Sequence, residues 1–174
     1  DSITTSLSCY YDSVIPAFER LKSEGKIDSW GVGLGEEEAL TSAINHEKQP
    51  EAMQCAVNVM NSIGAIGYIS KKSDPNRILK ECQDKDIQIL AIRAVQAGAL
   101  TSKMDREPHP SGRDKPDFDD YERAEPFREL AKKWGESPAS LAHRYALSIQ
   151  KVSSVILGVK NTQELKECLE TENM

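Results

Sequence analysis

The stretch Val152-Ser153-Ser154-Val155-Ile156-Leu157-Gly158-Val159-Lys160-Asn161 continues into Thr162-Gln163-Glu164-Leu165-Lys166-Glu167-Cys168-Leu169 and decides how the chain is read. β-Branched and apolar residues run to a glycine, as in a strand, and a helix signature begins at once. Asn161 is an N-cap residue, and Glu164 three positions on completes a capping-box-like pair. Leu165, Cys168 and Leu169 fall at i, i+3 and i+4, the apolar stripe of a packed helix. Lys160 lies between the glycine and the cap. A positive charge, free backbone N–H groups and the positive end of a helix dipole therefore coincide. Two readings fit this turn: an anion site for a cofactor phosphate, or an ordinary strand-to-helix turn with a solvated lysine.

Upstream, the same strand-then-helix order recurs. Ser13 is the expected N-cap of a helix with Val14, Ala17, Phe18 and Leu21 on one face and Gly25 behind it. Ile27 to Leu34 reads as a short strand, and Glu36, Glu37 and Glu38 open the next helix, as the helix dipole favours. In the strand expected from Ala52 to Met60, Met53, Cys55, Val57 and Val59 alternate with Gln54, Ala56 and Asn58. Unpaired buried amides cost roughly 1–3 kcal/mol. Gln54 and Asn58 are thus either structural amides with satisfied partners or site residues at a strand end. Asp74-Pro75 starts a helix with Ile78, Leu79 and Cys82 inward. Ile87 to Ile92 is nearly all apolar, as a strand covered on both faces should be. It runs into Arg93.

A long polar loop with Pro108, Pro110 and Pro116 covers residues 101–117. Loops of that length are usually functional or disordered. Asp119 or Asp120 is the expected cap of a helix with Phe127, Leu130, Ala131 and Trp134 inward. Ser137-Pro138 starts another with Leu141, Ala142, Tyr145 and Ala146 inside. Strand followed by helix thus occurs four times, the pattern of a parallel sheet with helical crossovers.

Composition bounds the function. The 174 residues form one domain, 1–174, with 39% hydrophobic and 29% charged residues, ordinary for a globular protein. A net charge of −6 argues against a nucleic-acid partner. There is no run of membrane-span length and no signal-peptide layout at the start. Cys9, Cys55, Cys82 and Cys168 form no CxxC pair and read as reduced thiols of a cytoplasmic protein. His46, His109 and His143 are too scattered to suggest a metal site, and none is expected.

Four strand–helix units fit an open doubly wound sheet or half of an eight-unit barrel. A dinucleotide fold would carry GxGxxG after its first strand. Gly31-Val32-Gly33-Leu34-Gly35 has the wrong spacing, and the three glutamates behind it would repel phosphate. A barrel binds phosphate at the loops after its last two strands. Arg93 and Lys160 lie there.

Six stretches, in order, resemble the aldo-keto reductases over nearly the whole chain. They are Val14 to Ile27, Trp30-Gly31-Val32-Gly33, Gln54-Cys55-Ala56-Val57-Asn58, Ile89 to Lys103, Ser137 to Tyr145 and Ser154 to Cys168. The resemblance implies the C-terminal half of a TIM (β/α)8 barrel, about four parallel strands alternating with helices. It further implies an NAD(P)-dependent oxidoreductase that moves hydride between nicotinamide and a small-molecule carbonyl, alcohol or sugar substrate, with NADP or NAD as cofactor. Carried over by residue, Gln54 would hold the nicotinamide carboxamide, and Gly158 and Lys160 an adenosine-side phosphate. Glu167 would contact the adenine amino group. Ile92 stands where many members stack an aromatic ring, Arg93 where Ser is common, Glu164 where Gln or Arg is common, and Cys168 where Asn is common.

Gly33-Leu34 replaces the family's Ser-Asn, removing two carboxamide contacts, and Gly-Val-Gly is similar to a sugar-dehydrogenase branch. The family's catalytic Asp, Tyr, Lys and His lie on the first four strands, before Asp1. Tyr10, Tyr11, Tyr68, Tyr121 and Tyr145 lie away from the strand ends, so no catalytic residue is assigned. The chain is thus expected to supply the cofactor half of a site and to be inactive alone. Its expected partner is the missing N-terminal half of the barrel or a second copy. Two alternatives stand beside this: a non-catalytic cofactor-sensing or regulatory module on a barrel-derived fold, and a small α/β fold that binds no nucleotide.

Overall fold

A computed structural model describes residues 6–33, 36–68 and 74–172. The first helical stretch begins earlier than Ser13. Ser6 caps α1 (Leu7–Cys9), accepting from the Cys9 N–H at 3.3 Å, and a π-helical turn, Tyr10–Val14, leads into α2 (Ile15–Ser23). Pro16 is the second residue of α2, directly behind the π-helical turn. Gly25 follows at φ 67°.

Then come β1 (Gly31–Gly33), α3 (Glu37–Ile44), β2 (Ala52–Ala56), α4 (Pro75–Asp84) and β3 (Gln88–Ile92). The chain finishes with α5 (Lys115–Arg123), α6 (Glu125–Trp134), α7 (Pro138–Ser148), β4 (Val152–Val155) and α8 (Thr162–Glu172). Leu34, expected to end the first strand, lies outside the described residues.

The four strands form one parallel sheet in the order β1-β2-β3-β4. Register pairs Gly33 with Gln54, Ala56 with Ile92 and Ala91 with Val155. Period-two alternation then divides the sheet. Met53, Cys55, Ile89 and Ala91 point to a core they share with Leu40, Ile44, Ile78 and Cys82 from α3 and α4. Gln54, Leu90 and Ile92 lie on the opposite face and are only half-buried. β3 is therefore not covered on both sides, as its apolar run had suggested. At β4 the register slips between Val152 and Ser154, leaving Ser153 as an extra residue whose hydroxyl donates to the Ile89 carbonyl at 3.3 Å.

Two expectations about helices need correction. Asp119 and Asp120 do not cap the helix carrying Phe127. A separate helix, α5, already starts at Lys115, so Asp117, Asp119 and Asp120 are helical and the preceding loop is shorter. Apolar residues expected inside also stand out: Leu130 is 38% exposed, Trp134 59%, Tyr145 37%, Leu165 41% and Leu169 54%. Ile156 and Leu157, just beyond β4, are exposed as well. For Ile156, Leu157, Leu165 and Leu169 the physical reason is local. β4 and β1 are the outermost strands of the described sheet, so α8 and the β4 exit have packed neighbours on one side only.

Candidate functional site

The site begins where β3 and β4 stop. Residues leaving their C-terminal ends, with the starts of α7 and α8, enclose a cleft of about 530 Å³, within the range of small-molecule sites. Arg93, Gly158, Lys160, Glu164, Glu167 and Cys168 all line it. Gln54 and Ile92 do not; they sit on the half-buried face of β2 and β3. A Cβ placed on Gly33 would lie 2.7 Å from Gln54 Cβ and 2.8 Å from its Oε1. The glycine thus makes room for the Gln54 side chain, and among the described residues no hydrogen bond reaches that amide. Asn58 is the opposite case. It is buried, donates to the Ser62 carbonyl at 2.8 Å and accepts from the Met60 and Ser62 N–H groups at 3.2 and 3.1 Å. It is a structural amide that shapes the turn after β2.

At the opening turn the expected cap forms. The Glu164 N–H donates to Asn161 Oδ1 at 2.9 Å. The Glu164 carboxylate, however, reaches one residue further than a capping box does. Oε2 accepts from the Lys160 N–H at 2.8 Å and Oε1 from Asn161 Nδ2 at 3.1 Å. The Lys160 ammonium pairs with Asp105 from the loop between β3 and α5. That hydrogen bond holds the Asp105 carboxyl below its ordinary range. Both partners are substantially exposed, 59% and 39%, so the pair adds little stability but carries the loop to the turn.

Glu167, one helical turn on, accepts from the Ser137 hydroxyl at the start of α7. Deeper in the same wall lies His143 of α7, buried, with Nδ1 3.9 Å from Cys168 Sγ. Burial keeps its imidazole below the usual value, and Glu167 pulls the other way. Burial, then the Glu167 and Glu164 carboxylates, push the Cys168 thiol up. This wall is neutral to acidic.

Arg93 has a different setting from a phosphate-gripping arginine. Its guanidinium pairs with Asp117, and its Nε donates to Gln96 Oε1 at 3.1 Å. Asp117 also accepts from Arg106 Nη2 at 2.9 Å and the Ala65 N–H at 2.8 Å, while Arg106 Nη1 donates to Asp114 at 2.9 Å. Gln96, fully buried, donates to Asp120 at 2.6 Å and to the Ser62 hydroxyl at 3.1 Å. Gly64 threads this network at φ 51°, where a Cβ would strike Asp117, Arg93 and Gln96. Arg93, Gln96 and Ala97 also hold positive φ, of 59°, 47° and 51°. Such cost is tolerated where surrounding bonds fix the backbone, often at functional sites. The network ties the β3 exit and the loop that carries Asp105 into one rigid cleft wall.

The sequence reading missed Asp105, Arg106, Asp117, His143 and Ser137. Asp114, Asp117 and Asp120, three residues apart, were a legible sign of one acidic helical face. Nothing in the sequence marked its arginine partners. Among the described residues no cluster of His, Cys, Asp or Glu could hold a metal, and no helix is long and apolar enough to cross a membrane.

Comparison with known proteins agrees with this geometry. The model of the Aldo/keto reductase family matches residues 2–174. No curated protein sequence matches. Among solved structures, the holo form of the aldo-keto reductase AKR11C1 from Bacillus halodurans is similar with a TM-score of 0.68 at 16% identity. That match covers 97% of this chain and 52% of the other. The thermostable aldo-keto reductase Tm1743, in complex with the inhibitor epalrestat, gives 0.65 at 16% identity, covering 99% and 51%. The chain thus spans about half the length of these relatives, and its four parallel strand–helix units are half of a (β/α)8 barrel. The sequence motifs, the sheet order and the family match converge: the chain belongs to the aldo/keto reductase family.

Proposed function

We propose that this chain supplies the cofactor-binding part of an NAD(P)-dependent oxidoreductase acting on a small carbonyl, alcohol or sugar. The observation that carries the reading is the cleft itself, which gathers Arg93, Gly158, Lys160, Glu164, Glu167 and Cys168 at the C-terminal ends of parallel strands. Its donor set fits a nicotinamide dinucleotide in kind. Lys160 lines the cleft and suits an anionic linkage once its solvent-exposed pair with Asp105 opens. A Cβ on Gly158 would meet no protein atom within 4 Å, so the turn is open to solvent on the side of the cleft it lines. Ile156, Leu157 and Val95 give apolar wall, and among the described residues no donor reaches Glu167 Oε2, which suits an amino group. Gln54, with an amide left open on the half-buried sheet face, suits a carboxamide; Ile92, two residues further along the neighbouring strand on the same face, offers a flat apolar surface.

When bound, the nicotinamide would supply or accept hydride. This chain's residues bind, orient and screen it from water. The proton donor is a different matter: among the described residues lining the cleft there is no tyrosine. The reading therefore gives catalysis to residues contributed from across the sheet edges. The exposed apolar residues of α8 and the β4 exit suit a flanking set of strand–helix units, or a second copy.

The test is a fluorescence titration of NADPH and NADH against the chain and against Lys160→Glu. Saturable binding weakened by the substitution supports the reading. No binding in either protein sinks it and favours a nucleotide-free α/β module. Saturable binding without turnover in the complete protein favours the cofactor-sensing alternative.

A further inference from the structure

We infer that Cys168 and His143 form a thiol–imidazole pair that adds to small, neutral alkenes conjugated to a carbonyl, with Cys168 Sγ as the atom modified and His143 as its proton acceptor. The inference concerns the chain's own chemistry in the cleft and stands whether or not a dinucleotide binds there.

Two helices bring the pair together. Cys168 of α8 is half-buried, His143 of α7 is 8% exposed, and both line the cleft. His143 Nδ1 lies 3.9 Å from Cys168 Sγ, within reach of a sulfur contact, and is the one hydrogen-bond partner of Sγ among the described residues. The other ring nitrogen, Nε2, takes no hydrogen bond among the described residues, and it is not one of the sealed polar atoms left without a partner. It therefore keeps access to the cleft that the ring lines. A nearly buried imidazole, with one nitrogen at a thiol and the other open, sits where an incoming molecule would meet both groups.

The setting keeps both groups uncharged at rest. Burial pushes the thiol up and the imidazole down. A neutral thiol is a poor nucleophile, because the thiolate is the attacking species. It becomes one here by passing its proton to Nδ1. The charged groups that act on the pair are Glu164 and Glu167 of α8, which raise the thiol further, while Glu167 favours the imidazolium.

The step that suits this wall is an addition. Sγ attacks the β-carbon of the alkene, the S–C bond forms as the S–H bond breaks, and Nδ1 takes the proton. The alkene π electrons move onto the carbonyl as an enolate, and the imidazolium returns the proton to the α-carbon. No group leaves, there is no net oxidation or reduction, and the thioether and imidazole end uncharged. A substitution would instead leave an anion and a proton in a wall that disfavours charge. Glu164 and Glu167 repel an anionic reagent, and Val95, Ile156 and Leu157 give the apolar lining that a small neutral one needs.

The test is labelling of the folded chain with N-ethylmaleimide, a neutral alkene of this class, and with 3-maleimidopropionate, the same reacting group carrying a carboxylate. Peptide mass spectrometry reads the rate at each cysteine. Exposed Cys9 is the reference for the reagents, and buried Cys55 and Cys82 report opening of the fold. Cys168 should react about ten-fold faster or more than Cys55 and Cys82. Its preference for the neutral reagent should exceed that of Cys9 by about three-fold or more. In the parent, the Cys168 rate should rise through the depressed imidazole value, below 6.5, and level off by about pH 7–8. His143→Gln should slow Cys168 about ten-fold or more at neutral pH and remove the plateau, with Cys9 unchanged. Far-UV circular dichroism controls for folding of the variant, and the parent's pH profile decides the matter even if that variant fails to fold. Labelling of Cys168 no faster than Cys55 and Cys82 overturns the inference. So does a parent rate that climbs steadily with pH and shows no plateau. Equal reagent preference at Cys168 and Cys9 overturns the assignment of a neutral ligand.

Discussion

Replacing Asp117 with asparagine keeps the side chain's shape and removes its charge, at the point where two arginines meet. The Asp117 side chain is 4% exposed and its partner Arg93 only 15%. One carboxylate oxygen takes Arg93 and the Ala65 N–H, the other takes Arg106 at 2.9 Å. Asparagine can present an oxygen to one arginine, but its amide N–H₂ then faces the other. Removing one partner of a buried pair costs about 3–5 kcal/mol, because the remaining charge stays desolvated. Arg106 keeps Asp114 at 2.9 Å, so the lower end applies. A loss of about 3 kcal/mol in a chain of this length lowers the melting midpoint by roughly 6–12 °C. Thermal and urea unfolding followed by circular dichroism read this directly. Asp119→Asn is the control: its partner is the exposed Lys115, and the pair should be worth about 0.5 kcal/mol or less. Equal, small shifts for both variants would refute the claim that the Asp117 network holds the cleft wall together.

Gly64→Ala should be at least as damaging as Asp117→Asn, because the new Cβ strikes Asp117, Arg93 and Gln96 at a positive φ; a midpoint within about 2 °C of the parent would contradict it. His143 predicts a pH signature. Burial holds its imidazole below the ordinary value of 6.5 in the fold, so the unfolded chain takes up this proton first as pH falls. The stability carried by neutral His143 is complete above about pH 7.5 and is lost as pH drops through 6.5 toward the depressed folded value. The unfolding free energy of the parent relative to His143→Gln should therefore shrink from pH 8 to pH 5, and a pH-independent difference would count against it.

The fold was legible where local chemistry and tertiary packing agree. The alternation of Met53 and Cys55 with Gln54, the Asp74-Pro75 start of α4 and the Asn161 cap each have one physical outcome, and each appears. It was less legible where contacts between distant residues decide. Gln54 and Asn58 look alike in sequence, yet Asn58 is saturated by its own turn while Gln54 is left open, a difference set by Arg93, Gln96 and Ser62. The start of α5 was hidden because Lys115-Pro116 resembles loop, and the side chains that hold Asp117 and Asp120 inside, Arg93 and Arg106 for the first and Gln96 for the second, lie 11 to 24 residues away in sequence. Leu165 and Leu169 have the right spacing for a buried stripe. Spacing fixes which residues share a face; it does not say that something covers the face.

The central claim is that the cleft beyond β3 and β4 holds a nicotinamide dinucleotide. The most direct measurement is a series of ¹H–¹⁵N correlation spectra of the chain titrated with NADH. Saturable shifts confined to the β3 exit at Arg93 to Gly98, the turn at Gly158 to Lys160 and the first turns of α8 through Cys168 are what the account predicts. An unchanged spectrum, or shifts centred on α2 and α3, would contradict it.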